Sequence, residues 1–316
     1  MKKLIYHWLI VASLVFSHQM TIAQAAPLIV KLNEPGAVIQ PTMWGIFFED
    51  INFAADGGLY AELIKNRSFE FAEPLMGWDI KRKQESDGNV LIINRGTAFN
   101  ANPRFARITV TTDNSEFGLT NEGFRGIGIK KDSQYNFSIQ VKMEEGTSQQ
   151  LLIRLLNEKG EVIGNGNLLV SGNTWKTYST SLRATATAAK GSFRIEFKQK
   201  GITDIDMVSM FPQDTWKNRP AGLRKDLVQL LADMKPGFVR FPGGCIVEGR
   251  DLNNRYQWKK TTGDADQRQL IINRWNTEFK NRSAPDYFQS FGLGFYEYFL
   301  LALLMKFRQP TSPLKP

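Results

Sequence analysis

The sequence changes its pattern over residues 223–245, which read LRKDLVQLLADMKPGFVRFPGGC. Up to Pro236-Gly237 the apolar residues recur at helical spacing, and one face of the predicted helix carries Leu223, Leu227, Leu230, Leu231 and Met234. Residues 238–241 then predict a buried strand, which leads into the loop Pro242-Gly243-Gly244-Cys245. A helix, a buried strand and a glycine-rich loop in this order are typical of an α/β fold with parallel strands.

A related unit lies upstream, in residues 27–72. Residues 28–32 form a short β-like run, and a second apolar run, residues 43–48, ends at Glu49-Asp50. After Gly57-Gly58, residues 59–64 predict a short helix. The unit is therefore expected to contain a strand, a loop and a helix, with carboxylates at the C-terminal end of the strand.

Residues 73–213 show a different spacing of apolar residues. Apolar side chains recur at every second position in residues 135–142, which is the period of a half-buried strand. Further β-rich runs, separated by turn residues, cover residues 90–93, 105–110, 151–155, 175–182, 193–197 and 207–211. This number of short strands predicts a β-sandwich. The chain is therefore predicted to be an α/β domain, residues 27–72 and 214–301, interrupted by an inserted sandwich.

The N-terminus has the pattern of a secretory signal peptide. Lys2 and Lys3 precede an apolar run over residues 4–16, and Ala23-Gln24-Ala25 has the small-x-small pattern of a cleavage site. The alternative is a buried or membrane helix, but the apolar run is shorter than the about 20 residues that span a bilayer. The sequence thus predicts a signal peptide over residues 1–25, export from the cytoplasm, and no membrane span after its removal.

The composition restricts the chemistry. The 316 residues include 40 Lys and Arg against 31 Asp and Glu, and the two histidines, His7 and His18, both lie in the predicted signal peptide. Without another histidine, and with Cys245 as the single cysteine, the mature chain cannot form a Ser-His-Asp relay, a His- or Cys-based metal site or an internal disulfide. We therefore expect no metal and no cofactor. The basic excess lacks a nucleic-acid motif and is interpreted as solvated surface, with weak attraction to acidic pectic glycans as the alternative and no nucleic acid as a partner.

The α/β part resembles glycoside hydrolase family 51, the α-L-arabinofuranosidases. The stretches that carry the resemblance are residues 44–52, 57–70, 224–227 and 239–245, Arg268, and residues 292–298. The sandwich between them resembles the carbohydrate-binding modules that secreted members carry as an insertion. The resemblance extends from about residue 28 to residue 301. It implies a (β/α)8 TIM barrel with the active site at the C-terminal ends of the strands, of which this chain would be the incomplete N-terminal part, interrupted by the jelly-roll sandwich.

The same resemblance implies exo-hydrolysis, with retention, of terminal α-L-arabinofuranosyl groups of arabinan or arabinoxylan. Retention needs two carboxyl groups about 5–5.5 Å apart, and in the family both are glutamates, the acid/base following asparagine after strand four and the nucleophile after strand seven. The Asn-Glu pairs of this chain, at residues 33–34, 121–122 and 157–158, are not at that place. We therefore expect no catalytic residue within the chain.

Two residues are the predicted sugar contacts. The family counterpart of Glu49 hydrogen-bonds the arabinofuranose, although an isolated glutamate would otherwise be interpreted as an exposed loop carboxylate. Cys245 follows Gly243-Gly244 at the position where the family places a sugar contact, and the alternative is a small buried apolar side chain. Asp50 and Asn52 are interpreted as loop supports, Arg240 as a neutraliser of barrel carboxylates, and Glu248 as a weak candidate for an auxiliary carboxylate.

Three aromatic residues of the sandwich, Trp78, Trp175 and Tyr178, are candidates for stacking on sugar rings, with a place in the core as the alternative. Residues 302–316 diverge from the family, and they are interpreted as the product of a frameshift or an early stop, or else as a natural short variant.

The resulting prediction is an exported α-L-arabinofuranosidase fragment that lacks its catalytic glutamates and has arabinose-containing plant polysaccharide or oligosaccharide as its partner. The alternatives are a non-catalytic carbohydrate-binding protein that acts through the sandwich and a pseudogene product that does not accumulate.

Overall fold

The computed structural model describes residues 28–40, 42–96, 101–278 and 285–305. The predicted signal peptide and most of the divergent tail, residues 306–316, lie outside the described residues. Of these, residues 28–40 belong to one unit and the residues from 42 onward to a second unit. In the first, residues 28–32 are exposed coil rather than the predicted β-like run, because a strand needs hydrogen-bonded neighbours and residues 28–40 form only a turn, closed by Glu34 N to Lys31 O at 3.3 Å.

Among the described residues of the second unit, most of the regular secondary structure is sheet. The strands are β1 (Ile46–Phe47), β2 (Trp78–Lys81), β3 (Gly88–Asn94), β4 (Arg104–Val110), β5 (Gly118–Asn121), β6 (Ile127–Ile129), β7 (Gln134–Glu145), β8 (Ser148–Leu156), β9 (Val162–Ser171), β10 (Lys176–Arg183), β11 (Ala188–Phe197), β12 (Gly201–Pro212), β13 (Val239–Arg240), β14 (Ile271–Ile272) and β15 (Phe288–Gln289). The α-helices are α1 (Lys225–Asp233), α2 (Gly244–Glu248) and α3 (Phe295–Leu304).

Strands β2 to β12 form a sandwich of two antiparallel sheets. One sheet has the order β10-β7-β12-β4-β3, and the other has the order β2-β5-β11-β8-β9 with β6 paired to β11. The predicted period of two is confirmed in β7, where Tyr135, Phe137, Ile139, Val141 and Met143 are buried and the residues between them point outward. All seven β-rich runs identified in residues 73–213 are strands in the structure, because alternating apolar residues can bury one face of a sheet.

A second, smaller core joins the sandwich to the α/β part. It contains Tyr60, Phe211 at the end of β12, Val228 of α1, and Tyr298 and Leu301 of α3. Helix α1 is present where the sequence predicts it. The described residues contain no helix that is long and apolar enough to cross a membrane.

The strand predicted over residues 238–241 is shorter and less buried than expected. Strands β1 and β13 are parallel and pair through Ile46 with Val239 and Phe47 with Arg240. No further strand of the described residues joins this pair, so Phe47 is 53% exposed. The general α/β prediction therefore holds for this region, but the described residues contain only this one pair of parallel strands.

The prediction of a helix over residues 59–64 is wrong. This segment is not helical, because backbone N–H groups of it bond elsewhere in the fold: Ala61 N donates to Gly222 O at 3.2 Å and Leu63 N to Met210 O at 2.9 Å. Six residues contribute too few internal hydrogen bonds to stabilise a helix on their own, so these tertiary bonds decide the conformation.

Candidate functional site

The parallel pair β1–β13 brings two loops of the sequence analysis together. Phe48 N donates to Arg240 O at 2.8 Å, which keeps the strands in register up to their C-terminal ends. Glu49 follows β1, and Gly243 follows β13. A Cβ atom at Gly243 would lie 2.5 Å from both Cγ and Cδ of Glu49, so the carboxylate side chain of Glu49 packs directly on the backbone of the glycine loop.

Glu49 has a polar atom without a partner. The side chain is half-buried, yet its Oε1 is fully buried and accepts no hydrogen bond within the described part of the chain. Leaving a buried acceptor unsatisfied costs about 1–3 kcal/mol, and such an atom marks a place where a hydroxyl donor would be stabilised. The half-buried thiol of Cys245 lies on the first turn of α2, two residues after Gly243. The structure thus places Glu49 beside the loop Gly243-Gly244-Cys245. We call this region, which follows the C-terminal ends of β1 and β13, the corner between β1 and β13.

Asp50, the residue after Glu49, stabilises the loop after β1 through hydrogen bonds. It is 1% exposed, and its Oδ1 accepts hydrogen bonds from Ala55 N at 2.9 Å and from the hydroxyl of Tyr287 at 2.5 Å. Asn273 Nδ2 donates to the backbone oxygen of Asp50 at 3.0 Å. These bonds agree with the predicted loop-supporting role of Asp50. Sequence analysis missed Tyr287 and Asn273, since no local motif links them to residue 50.

Burial raises the pKa of Asp50 to about 6, from an ordinary value of 3.8, and the negative charge of Asp56 adds to the effect, whereas the Tyr287 hydroxyl opposes it. The folded protein therefore holds this proton more tightly than the unfolded chain does. The stability that results is fully present below pH 3.8 and is lost as the pH rises through about 6.

We expect Asp50→Asn to remove this part of the pH dependence. Between about pH 4 and pH 6, the free energy of unfolding of the unmodified protein should fall by about 2 kcal/mol more than that of the variant. Urea unfolding at several pH values measures the difference. Asp79→Asn, at an exposed aspartate on β2, is the control. Parallel pH curves for the Asp50 variant and the unmodified protein would contradict the assignment.

Other predicted residues lie elsewhere. Arg240 is exposed, and its guanidinium carbon lies 4.8 Å from the ring centre of Phe47. It has no carboxylate within 4 Å among the described residues, so the predicted neutralising role does not hold there. Glu248 is exposed at the end of α2. Asn52 is also exposed, with a left-handed backbone (φ 55°).

Comparison with known proteins agrees with this geometry. The family described as "Alpha-L-arabinofuranosidase 1 domain" matches residues 230–308, and the family described as "Carbohydrate binding domain" matches residues 61–201. An arabinose-bound GH51 α-L-arabinofuranosidase superposes with a TM-score of 0.75 at 30% identity, covering 86% of this chain and 44% of that one. The chain belongs to glycoside hydrolase family 51.

Two curated members of family 51 illustrate the relationship. The extracellular exo-α-L-arabinofuranosidase of Streptomyces chartreusis is 36% identical over 283 residues, which cover 84% of this chain and 31% of that protein. The α-L-arabinofuranosidase 1 of Arabidopsis thaliana is 32% identical over 282 residues, which cover 85% of this chain and 40% of that protein. The chain therefore spans about a third to two fifths of the length of these relatives.

The three aromatic candidates of this family 51 chain lie in the part that matches the carbohydrate-binding family. Trp78 is 5% exposed in the sandwich core, and its Nε1 donates to Asn66 O at 3.0 Å, so its ring is not available for stacking. Tyr178 packs against the core, and its hydroxyl donates to Ser171 O at 2.6 Å. Trp175 is half-buried and lies edge-to-face with Phe105 at 5.4 Å. Of the three aromatic residues, Trp175 therefore has the position that best suits stacking on a sugar ring.

Proposed function

We propose that this chain is part of an exported, retaining exo-α-L-arabinofuranosidase that acts on terminal α-L-arabinofuranosyl groups of arabinan or arabinoxylan. The observation that carries the proposal is the corner between β1 and β13, where Glu49, with its unpartnered Oε1, packs on the loop of Gly243. The names of the relatives, several of which are α-L-arabinofuranosidases, support the same reaction. The extracellular relative from Streptomyces chartreusis supports export, with residues 1–25 as the signal peptide.

In this proposal residues 27–72 and 214–301 are the first part of a (β/α)8 barrel, with β1 and β13 as its first two strands, and residues 73–213 are the inserted carbohydrate-binding-module-like sandwich. The C-terminal ends of parallel barrel strands are where such enzymes bind substrate.

Glu49 and Cys245 are the proposed sugar contacts. Glu49 Oε1 accepts a hydrogen bond from a hydroxyl of the arabinofuranose, which satisfies an acceptor that otherwise stays buried and unpaired. Cys245 packs its thiol against the sugar, because a thiol is a weak hydrogen-bonding group. Neither residue is proposed to perform the covalent chemistry.

The catalytic pair is proposed to be absent from this chain. Retention requires a nucleophilic carboxylate and an acid/base carboxyl that both face the glycosidic bond. The other carboxylates of this corner are already engaged: Asp50 binds Ala55 and Tyr287, and Asp56 binds Ser290 N at 2.6 Å and Ser290 Oγ at 2.7 Å. Their oxygens hold the fold together and are not directed at a ligand.

We therefore expect the purified chain to release no 4-nitrophenol from 4-nitrophenyl α-L-arabinofuranoside. A family 51 enzyme of full length, assayed in parallel, is the positive control. Turnover by this chain that is lost in a variant of one of its own carboxylates would refute the proposed absence of the catalytic pair.

A second candidate function is glycan binding by the sandwich without catalysis. Trp175 favours this function. The residue is half-buried and stands just before the edge strand β10. Its ring has Phe105 as a neighbour, with the Arg95 guanidinium 5.4 Å and the Lys142 ammonium 5.9 Å from the ring centre. Binding of arabinan without turnover, lost in Trp175→Ala and kept in a variant of the exposed Trp258, would favour this function over the first.

A further inference from the structure

A large groove separates the sandwich from the α/β part on the side to which the loop after β1 leads. Its volume is about 890 Å³, within the range of small-molecule sites in proteins. Its lining includes Asn52 and Phe53 of the loop after Glu49, residues 124–128, which lead from the loop after β5 into β6, and residues 224–226 at the start of α1. We call this space the basic groove.

The charges of the basic groove are unbalanced. Four cations line it, and two of them are paired: Arg224 with Asp226, and Lys225 with Asp214 at 2.8 Å. Arg125 and Lys130, both exposed on the sandwich wall, have no carboxylate within 4 Å among the described residues. Because the acidic residues that line the groove already have basic partners, these two cations remain available to an anionic ligand.

The floor of the basic groove is aromatic and fixed in place. Phe53 contacts the Phe124 ring at 6.2 Å and the Tyr287 ring at 4.2 Å, and the Arg125 guanidinium lies 5.3 Å from its ring centre. Asn52 and Phe53 are consecutive non-glycine residues in the left-handed region, with φ values of 55° and 61°. Such backbone strain costs about 1–3 kcal/mol per residue and tends to be retained at binding sites.

A glycine maintains the contact between loop and sandwich. Gly57 has a φ of 81°, and a Cβ atom there would lie 2.6 Å from the Phe124 ring. The loop after β1 and the sandwich therefore fit closely at the floor, while the wall above them carries free positive charge. Because Phe53 is itself buried, the groove offers a ligand the half-buried Phe124 ring and the exposed cations beside it, which suits a sugar ring that bears a carboxylate.

We propose that the basic groove binds an acidic oligosaccharide, with uronate carboxylates paired to Arg125 and Lys130. A glycan is chosen over other anions because of the proposed carbohydrate function, on which this inference rests. The groove begins three residues after Glu49, so the two sites share one loop. The substrate class that fits both is a terminal arabinofuranosyl group carried on a uronate-containing glycan.

Isothermal titration of the full chain with tetragalacturonate, and separately with neutral arabinotetraose, tests the proposal. We expect the acidic ligand to bind, and Arg125→Ala/Lys130→Ala to weaken that binding about tenfold, which corresponds to about 1.4 kcal/mol, with arabinotetraose unaffected. Raising NaCl from about 20 to about 200 mM should weaken the acidic ligand only, because salt screens exposed charges. Lys159→Ala/Lys176→Ala, a pair of exposed cations elsewhere on the sandwich, is the matched control.

Equal weakening by the two double variants would overturn the proposal, and so would equal binding of a DNA oligonucleotide of the same charge, since either result indicates unspecific attraction. Binding of arabinotetraose alone would show that the groove assignment is wrong while the proposed function stands. Failure of both oligosaccharides to bind would count against both.

Discussion

Glu62→Ala is expected to lower the free energy of unfolding by about 4 kcal/mol, because breaking a buried ion pair by removing one partner leaves the other charge uncompensated. Glu62 is 4% exposed. Its Oε2 accepts hydrogen bonds from Ser209 Oγ and from Arg67 Nη1, the latter at 3.3 Å. Its Oε1 accepts from Met210 N at 2.9 Å. The carboxylate of Glu62 therefore links the segment of chain after β1 to β12, the last strand of the sandwich.

Urea unfolding, followed by tryptophan fluorescence, measures this loss. Glu73→Ala is a suitable control, because Glu73 belongs to the same stretch of chain but is exposed, and it should change stability by less than about 0.5 kcal/mol. If Glu62→Ala were no more destabilised than Glu73→Ala, Glu62 would not join the two parts of the chain.

Gly243→Ala is expected to have the second large effect, on both stability and sugar binding. The glycine has a φ of 107°, and the added methyl group would lie 2.5 Å from the Glu49 side chain. The backbone strain costs about 1–3 kcal/mol, and the clash moves Glu49 out of the corner. We therefore expect a loss of about 2–4 kcal/mol of stability together with a loss of sugar binding.

Gly244→Ala provides a closely matched control. The neighbouring glycine lies at the start of α2, and a Cβ atom there would have no heavy atom within 4 Å. Alanine is also the better helix former, so this variant should be at least as stable as the unmodified protein. Equal effects of the two substitutions would show that the packing of Glu49 on Gly243 is not what requires glycine.

The sandwich could be predicted from the sequence because its signal is local. In β7 the side chains alternate between core and surface over the whole strand, and this period can be recognised without knowing the partner strands. The helix α1 and the parallel strand β13 have similarly local signals. The sequence could not show which face of a strand turns inward, which is why Trp78 was a candidate for stacking although it lies in the core.

The hydrogen bonds that stabilise the candidate site could not be predicted from local sequence patterns. Asp50 bonds to Tyr287, 237 residues along the chain, and Glu62 bonds to Ser209, 147 residues along. The non-helical conformation of residues 59–64 depends on other long-range bonds, from their backbone to Gly222 and Met210, so a pattern of apolar residues indicated a helix that the tertiary structure excludes. Glu49 and Cys245 were identified by resemblance, whereas the packing of Glu49 on Gly243 becomes visible only in the fold.

The most direct test of the proposed arabinose corner is saturation-transfer NMR of methyl α-L-arabinofuranoside with the unmodified chain and with Glu49→Gln. The amide keeps the size of the side chain but replaces the carboxylate, and a hydrogen bond to a charged acceptor contributes about 1.5–3 kcal/mol. The dissociation constant of the sugar, taken from the saturation signal at several sugar concentrations, should therefore rise about tenfold or more in the variant. Equal dissociation constants for the two proteins would contradict the role of Glu49 and, with it, the proposed site between β1 and β13.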